Sequence, residues 1–319
     1  MKPKLLITRV LPAAVTMAAR AKFEVTLRDS TAPMTEDECV AALAGFDAVL
    51  PTLGDAFRAP AFARVPAPRA KLLANFGVGY NHIDVAAAKA SGVLVSNTPG
   101  AVTDATADTA LTLILMAARR AGEGERLVRA GRWEGWHPTQ MLGLHVTGKT
   151  LGIVGMGRIG QAIARRCHYG FGMKVVFANR SRLADPGLPA EQLAGPLEVA
   201  QAADIVAVAV PGGAGTRHLI GADFFAAMRK HGIFVNIARG DVVDETALIA
   251  ALREGRIGGA GLDVYEFEPE VPDALKALEN VVLLPHLGTA ALEVREAMGM
   301  MAVANLAAFF EGRDLPNPV

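Results

Sequence analysis

The sequence is poor in cysteine and has no net charge. It contains only two cysteines, Cys39 and Cys167, in 319 residues, and no Cys/His spacing of a metal site, so neither a disulfide framework nor a metal centre is predicted. Few cysteines suit a reducing compartment, and we predict a cytoplasmic protein. Basic and acidic residues number 32 each, so the charge favours neither nucleic acid nor a membrane surface as partner.

A long hydrophobic run is also missing. The first fifteen residues superficially resemble a signal peptide, but Pro3, Arg9 and Pro12 interrupt the apolar run, and a first strand is the better interpretation. The most apolar later stretch, residues 105–118, carries Asp108 and falls short of the roughly 20 residues that a bilayer requires. The chain is therefore predicted to be globular, with about two domains.

Short apolar segments alternate with helical stretches along nearly the whole chain. This alternation is typical of a parallel sheet flanked by helices, and it predicts an α/β protein with two Rossmann-like, doubly wound parallel-sheet domains. Strands are predicted at residues 5–8, 24–27, 48–50, 71–75, 93–96, 174–178, 205–210, 233–236, 261–263 and 281–284, besides one that starts at residue 151.

The domain boundaries follow from where the alternation breaks. NTPG at residues 97–100 precedes a predicted helix at 103–118. We predict a dinucleotide-binding domain at 100–287, inserted into a substrate domain that comprises residues 1–99 and is completed by 288–319. An Ala/Pro-rich stretch, residues 58–68, is predicted to be a surface loop.

The most informative segment is LGIVGMGRIG at residues 151–160, an apolar strand that runs into a glycine-rich turn before a predicted helix at 161–167. Gly155 permits the tight turn, Gly157 lets the backbone approach a pyrophosphate, and Gly160 lets the helix pack closely on the strand. The helix N-terminus favours phosphate groups. A bound dinucleotide is therefore predicted, although a methyltransferase or a nucleotide-sugar enzyme on the same fold remains open.

The residues after the second strand of this unit bear on the choice of cofactor. NAD-binding domains carry an acid there that binds the ribose hydroxyls, whereas this sequence has Asn179, followed by Arg180, Ser181 and Arg182. Arginine suits a 2'-phosphate because its planar donors bind it bidentately. We predict that NADP(H) is preferred and that NAD(H) is possible; a plain solvated loop is the structural alternative.

Three polar residues, Arg239, Glu268 and His286, stand just beyond the carboxyl ends of predicted strands. Ligands bind at this edge of an open α/β sheet. A 2-keto acid reductase needs a cation for the carboxylate, a proton donor for the carbonyl oxygen and a partner for that donor, and Arg, His and Glu provide these roles. Taken singly, each residue could be a helix cap, a loop residue or a turn residue. Their shared placement at successive strand ends favours a catalytic role.

The first half contains NFGVGYNHID at residues 75–84, after another apolar strand. Its glycines leave backbone amides open, and such a nest can receive a carboxylate. A tight turn into a helix at residues 85–90 explains the same spacing equally well.

These segments resemble the D-isomer-specific 2-hydroxyacid dehydrogenases over essentially the whole chain. The matching segments, in the family's order and spacing, are NFGVGYNHID, SNTPGAVTDATADTAL, GKTLGIVGMGRIGQAIA, FVNIARGDVVDETAL, AGLDVYEFEP and LLPHLG. Within the family, TDATAD and the segment at 132–138 look most like the glyoxylate/hydroxypyruvate reductases.

The resemblance implies a role for individual residues. Arg239 would bind the substrate carboxylate together with the amides of Val78 and Gly79, His286 would be the acid/base, and Glu268 its partner. It also implies a homodimer joined through the nucleotide domain. Leu53, Phe76 and Trp136 would line the substrate pocket, with Trp136 reaching the neighbouring subunit's active site. Near the cofactor it places Thr106, Arg158, Ile159, Pro211, Thr216, Ile237, Ala238, Asp263 and Gly288.

Two departures from the family pattern are visible: residues 211–216 are richer in glycine than usual, and Asn179 replaces the common acid. Among relatives, formate dehydrogenases carry glutamine in place of Glu268, and many phosphoglycerate dehydrogenases have an additional regulatory domain.

The resemblance predicts NAD(P)H-dependent reduction of glyoxylate and hydroxypyruvate to glycolate and D-glycerate. The alternatives are a D-2-hydroxyacid dehydrogenase for a larger substrate, such as D-lactate, and a non-catalytic nucleotide-sensing protein like the family's corepressors.

Overall fold

A computed structural model describes residues 1–319. The strands are β1 (Lys4–Ile7), β2 (Glu24–Leu27), β3 (Ala48–Leu50), β4 (Leu72–Ala74), β5 (Leu94–Ser96), β6 (Thr150–Val154), β7 (Lys174–Ala178), β8 (Glu191–Gln192), β9 (Ile205–Val208), β10 (Ile233–Asn236), β11 (Gly259–Leu262) and β12 (Val281–Leu283). The helices are α1 (Ala13–Lys22), α2 (Glu36–Gly45), α3 (Ala59–Ala63), α4 (Val85–Ala90), α5 (Thr103–Ala118), α6 (Ala121–Arg129), α7 (Arg158–Phe171), α8 (Pro196–Ala202), α9 (Ala222–Ala227), α10 (Glu245–Arg253), α11 (Asp273–Lys276) and α12 (Leu292–Phe310). None of the helices combines the length and apolar character needed to cross a membrane.

The chain divides into two compact units. The first comprises residues 1–102 and 290–319, and the second comprises residues 103–289. The predicted boundaries, after residues 99 and 287, lie a few residues from these divisions. The C-terminal helix α12 belongs to the first unit.

The first unit is built on a five-stranded sheet in the order β2-β1-β3-β4-β5, and every pair is parallel. Successive apolar residues of each central strand enter opposite cores, because side chains alternate across a strand. Leu6, Val49 and Leu73 belong to one core. The residues on the opposite face of the same strands, such as Leu5, belong to a second core, which α12 completes.

The second unit contains a seven-stranded parallel sheet in the order β12-β11-β10-β9-β6-β7-β8. Strands β9, β10 and β11 are buried along their whole length, as expected for a sheet covered on both faces. The strand order reverses between β6 and β9, which is the switch point where doubly wound sheets bind ligands. The predicted fold class, two doubly wound parallel-sheet α/β units, is confirmed.

Two local predictions were wrong. Residues 58–68 are not simply a surface loop, because α3 lies within them and buries Ala61 and Phe62. Proline near the helix start is tolerated, since the first amides of a helix have no intrahelical acceptor. Helix α7 begins at Arg158, directly after the turn, and not at residue 161.

Candidate active site

The three predicted catalytic residues follow three adjacent strands of the seven-stranded sheet. Arg239 comes after β10, Glu268 after β11 and His286 after β12, and these strands are neighbours in that order. Because parallel strands end at the same edge, the three side chains project from one edge of the second unit.

His286 and Glu268 form a hydrogen-bonded pair. Nδ1 of His286 lies 2.8 Å from Oε2 of Glu268, and the side chains are 30% and 31% exposed. The other carboxylate oxygen accepts a 3.0 Å hydrogen bond from the backbone N–H of Tyr265. Burial tends to raise the pKa of the Glu268 carboxyl, but His286, the Tyr265 amide and Arg239 together hold that pKa below its ordinary value. Glu268 is therefore ionised at neutral pH, and Nε2 of His286 is left for a substrate.

A buried carboxylate fixes the loop that carries His286. The backbone φ of His286 is +54°, a left-handed conformation that is uncommon for residues other than glycine. Its N–H donates to the carbonyl oxygen of Asp263 at 3.0 Å. The Asp263 side chain in turn accepts from the N–H groups of Leu287, at 2.6 Å, and Gly288, at 2.8 Å. Asp263, predicted near the cofactor, thus anchors the residues that follow His286, and these contacts hold His286 in its conformation.

Hydrogen bonds to both the backbone and the side chain of Arg239 position this residue. The Asn236 side chain donates to the Arg239 carbonyl oxygen at 2.9 Å and accepts from the Ala238 N–H at 3.0 Å. Nη1 of Arg239 donates to the Ala238 carbonyl oxygen at 2.6 Å. Burial lowers the pKa of the Arg239 guanidinium from its ordinary value, and the charge of Glu268 opposes this shift. Arginine stays protonated at neutral pH, so the edge presents a fixed positive charge.

The next residue, Gly240, permits a close approach of two main-chain segments. A Cβ at this position would overlap the carbonyl group of Tyr265 and the nitrogen of Glu266. The loop after β10 can therefore lie directly against the loop after β11, which brings Arg239 near Glu268.

The glycine-rich turn has the features that a dinucleotide needs. Gly155 has a φ of +98°, and a Cβ on Gly160 would overlap the carbonyl oxygen of Gly155. Gly157 caps α7 without any side-chain hydrogen bond, and a Cβ there would meet nothing within 4 Å. Backbone amides at the helix start are thus open to a phosphate.

The loop after β7 is fixed at both ends. Oδ1 of Asn179 accepts a 2.9 Å hydrogen bond from the N–H of Met156 in the glycine-rich turn. The side chain of Gln192 accepts from the N–H of Leu183 at 2.9 Å and donates to the carbonyl oxygen of Ser181 at 3.1 Å. Arg180, Ser181 and Arg182 are exposed. The residues present fit a nucleotide with a 2'-phosphate, because two cations and a hydroxyl occupy this loop.

The other predicted cofactor residues lie around the same edge. Thr106 donates to the carbonyl oxygen of Gly288 at 3.2 Å. Thr216 donates to the carbonyl oxygen of Pro211 at 2.7 Å and so closes the loop after β9. Arg158 is exposed and Ile159 is partly buried, whereas Ile237 and Ala238 are buried with their side chains in the two cores of this unit.

In the first unit, the backbone nest predicted after β4 has carbonyl oxygens that accept hydrogen bonds from asparagine side chains. Asn75 donates to the carbonyl oxygens of Gly77 and Gly79, at 2.9 and 3.0 Å, and Asn97 donates to that of Val78 at 2.9 Å. In a trans peptide the N–H points opposite to the C=O. The amides of Val78 and Gly79 therefore point away from these asparagines, and neither donates a hydrogen bond within the protein.

The remaining predicted pocket residues are Leu53, Phe76 and Trp136. Leu53 follows Thr52, which pairs with Phe76, so the first two lie close together at the carboxyl edge of the first unit. Trp136 lies between α6 and β6 and is 80% exposed.

Sequence reasoning missed several residues that hold this geometry, among them Asn75, Gln192, Asn236, Gly240 and Tyr265. A polar residue that ends an apolar strand, such as Asn75 or Asn236, is a usable signal, because buried polar groups are hydrogen-bonded. Gly240 gave no such signal.

A family model described as "D-isomer specific 2-hydroxyacid dehydrogenase, NAD binding domain" matches residues 111–288. A glyoxylate reductase from Thermococcus onnurineus is 43% identical over 100% of this chain and 96% of its own length.

Two solved structures superpose closely. An NADPH-dependent glyoxylate/hydroxypyruvate reductase from Sinorhizobium meliloti, in complex with NADP and malonate, is 36% identical with a TM-score of 0.87, covering 100% of this chain and 97% of its own. A glyoxylate reductase from Paecilomyes thermophila is 32% identical with a TM-score of 0.88, covering 100% and 98%. The parallel-sheet fold, the glycine-rich turn in the matched region and this identity over the full length lead to one conclusion: the chain belongs to the D-isomer-specific 2-hydroxyacid dehydrogenase family.

Proposed function

We propose that this protein is an NADPH-preferring reductase of glyoxylate and hydroxypyruvate that produces glycolate and D-glycerate. The observation that carries the proposal is the 2.8 Å hydrogen bond between Nδ1 of His286 and Glu268, at an edge that also carries Arg239. A proton donor, its carboxylate partner and a cation are the groups that reduction of a 2-oxo acid requires. Relatives named glyoxylate reductase support the choice of substrate.

His286 would supply the proton. Its Nδ1–H donates to Glu268, so in the imidazolium form Nε2 carries a second proton, which would pass to the carbonyl oxygen of the substrate as the carbonyl becomes a hydroxyl. The ionised Glu268 holds the ring in orientation and stabilises its positive charge before the transfer. The nicotinamide cofactor, when bound, would supply the hydride for the carbonyl carbon. The neutral ring left behind regains a proton from solvent, which its partial exposure permits.

Arg239 would bind the substrate carboxylate through a charge-assisted, bidentate contact. The amides of Val78 and Gly79 would donate to substrate oxygen atoms, since their own peptide carbonyls are bound elsewhere. Leu53, Phe76 and Trp136 would limit the size of the substrate.

The cofactor would be held by the open amides that follow Gly157 and by the exposed loop of Arg180, Ser181 and Arg182. Gly155 and Gly160 keep the turn compact. We further propose a homodimer in a reducing compartment, the cytoplasm; exposed Trp133, Trp136 and Leu142 offer apolar surface for a second copy.

A keto-acid panel with both cofactors tests the proposal. We expect kcat/KM for glyoxylate with NADPH to exceed that for pyruvate by about tenfold or more, because the methyl group that pyruvate adds is worth about that much in a tight pocket. Hydroxypyruvate should also be preferred over pyruvate, because a site that hydrogen-bonds its hydroxyl group disfavours the analogue that lacks one. Preference for pyruvate or a branched 2-oxo acid would indicate the D-lactate type of enzyme instead. Tight cofactor binding without any turnover would indicate a nucleotide sensor.

The cofactor preference depends on the arginine loop. Replacing Arg180 and Arg182 together by alanine is expected to raise KM for NADPH about tenfold and to leave KM for NADH unchanged. A tenfold effect is at the low end for hydrogen bonds to charged groups, because both arginines are exposed. Arg253→Ala, an exposed arginine of α10, is the matched control. Equal losses with both cofactors, or a wild-type preference for NADH, would contradict the assignment.

A further inference from the structure

The glycine-rich segment after β9 contains a residue that lies against Arg239. A Cβ built on Gly212 would come 2.7 Å from Cγ and 3.3 Å from Cβ of Arg239. Carbon atoms in contact normally lie about 3.5–4.0 Å apart. The place of a side chain at position 212 is thus already filled by the aliphatic stem of the arginine.

The conformation of Gly212 does not itself require glycine. Its φ lies outside the left-handed region, in contrast to Gly213, whose φ is +143°. The contact with Arg239 is therefore what excludes a larger residue at position 212.

Arg239 has little freedom to move away. Asn236 holds its main chain, Nη1 is bound to the Ala238 carbonyl oxygen, and Gly240 lies against the Tyr265 backbone. The atoms that a side chain at 212 would meet are the first two of the arginine side chain, so rotation of the guanidinium end alone does not relieve the overlap.

We infer that Gly212 is a positioning residue: the absence of a side chain sets the path of the Arg239 stem and hence the place of the guanidinium that receives the substrate carboxylate. This inference rests on the proposed function, in which Arg239 binds that carboxylate. It also gives a reason for glycine at one position of the glycine-rich segment 211–216.

Gly212→Ala and Gly212→Val form a graded test, with Gly215→Ala as control, because a Cβ at Gly215 in the same loop meets nothing within 4 Å. We expect KM for glyoxylate to rise about tenfold in Gly212→Ala and about a hundredfold in Gly212→Val, since misplacement of a substrate-binding group by about 1 Å can cost that much. The Kd for NADPH should stay within about twofold, and Gly215→Ala should behave as wild type.

A double-mutant cycle with Arg239→Ala separates this contact from a general effect on the loop. In that background Cγ, which causes the 2.7 Å overlap, is gone and only the 3.3 Å contact with Cβ remains, so Gly212→Ala should change kcat/KM and Tm much less than it does in the wild-type protein. Additive effects, or a wild-type KM in Gly212→Ala, would overturn the inference. If the wild-type enzyme reduces no 2-oxo acid, the proposed function fails instead of this inference. The contact can then still be tested by stability: if Gly212→Ala lowers Tm, adding Arg239→Ala should restore it.

Discussion

Replacing His286 with alanine is expected to lower kcat for glyoxylate reduction by about two to four orders of magnitude, the contribution of a positioned general acid. The loss follows because alanine lacks the Nε2 proton of the imidazole ring, which the 2.8 Å contact between Nδ1 and Glu268 holds in orientation. Steady-state kinetics with NADPH measure the effect. Kd for NADPH should be unchanged, since the residue is proposed to act on the carbonyl oxygen and not on the nucleotide.

His145→Ala is the matched control, because His145 is an exposed histidine of the same unit outside the site. It should retain wild-type kcat. The kcat of Glu268→Gln should lie between those of His286→Ala and His145→Ala, because glutamine keeps a hydrogen bond to the ring but loses the negative charge. Turnover by His286→Ala at more than a tenth of the wild-type rate would remove His286 from the role of proton donor.

The second large effect concerns the fold around the site. Gly240→Ala is expected to lower the free energy of unfolding by about 3 kcal/mol, the upper end of the range for overpacking, because both overlapping groups are main chain. The added methyl would overlap the Tyr265 carbonyl. Urea unfolding monitored by circular dichroism measures the change.

Gly170→Ala provides the control for this substitution. Gly170 is exposed in helix α7 of the same unit, and a Cβ there meets nothing within 4 Å. Alanine should stabilise that helix by about 0.5–1 kcal/mol. A Gly240→Ala protein as stable as wild type would show that the two loops separate at little cost, and the close approach would then not explain how Arg239 and Glu268 are held together.

The sequence predicted most of the elements because their signals are local. Strands β3, β7 and β10 lie where short apolar runs placed them, since a strand buried on both faces needs only a few consecutive apolar residues. Residues 58–68 were assigned wrongly for the converse reason. Proline and alanine suggested a loop, whereas burial of Phe62 in the core of the first unit stabilises a short helix.

The candidate site was also predictable from the sequence only in part. The types and order of Arg239, Glu268 and His286, the glycine-rich turn and the arginine loop can be read from the printed sequence, because strand ends of a parallel sheet meet at one edge. Their assigned roles remain predictions. The contacts that hold these residues in place connect segments that are distant in the chain, and no local pattern encodes them. Asp263 anchors residues 287 and 288, Gly240 receives the Tyr265 backbone, and Gly212 leaves room for the Arg239 stem. The amino-acid sequence by itself determined the fold class and the chemical groups available; only the tertiary structure decided their distances, because these depend on how closely separate loops pack.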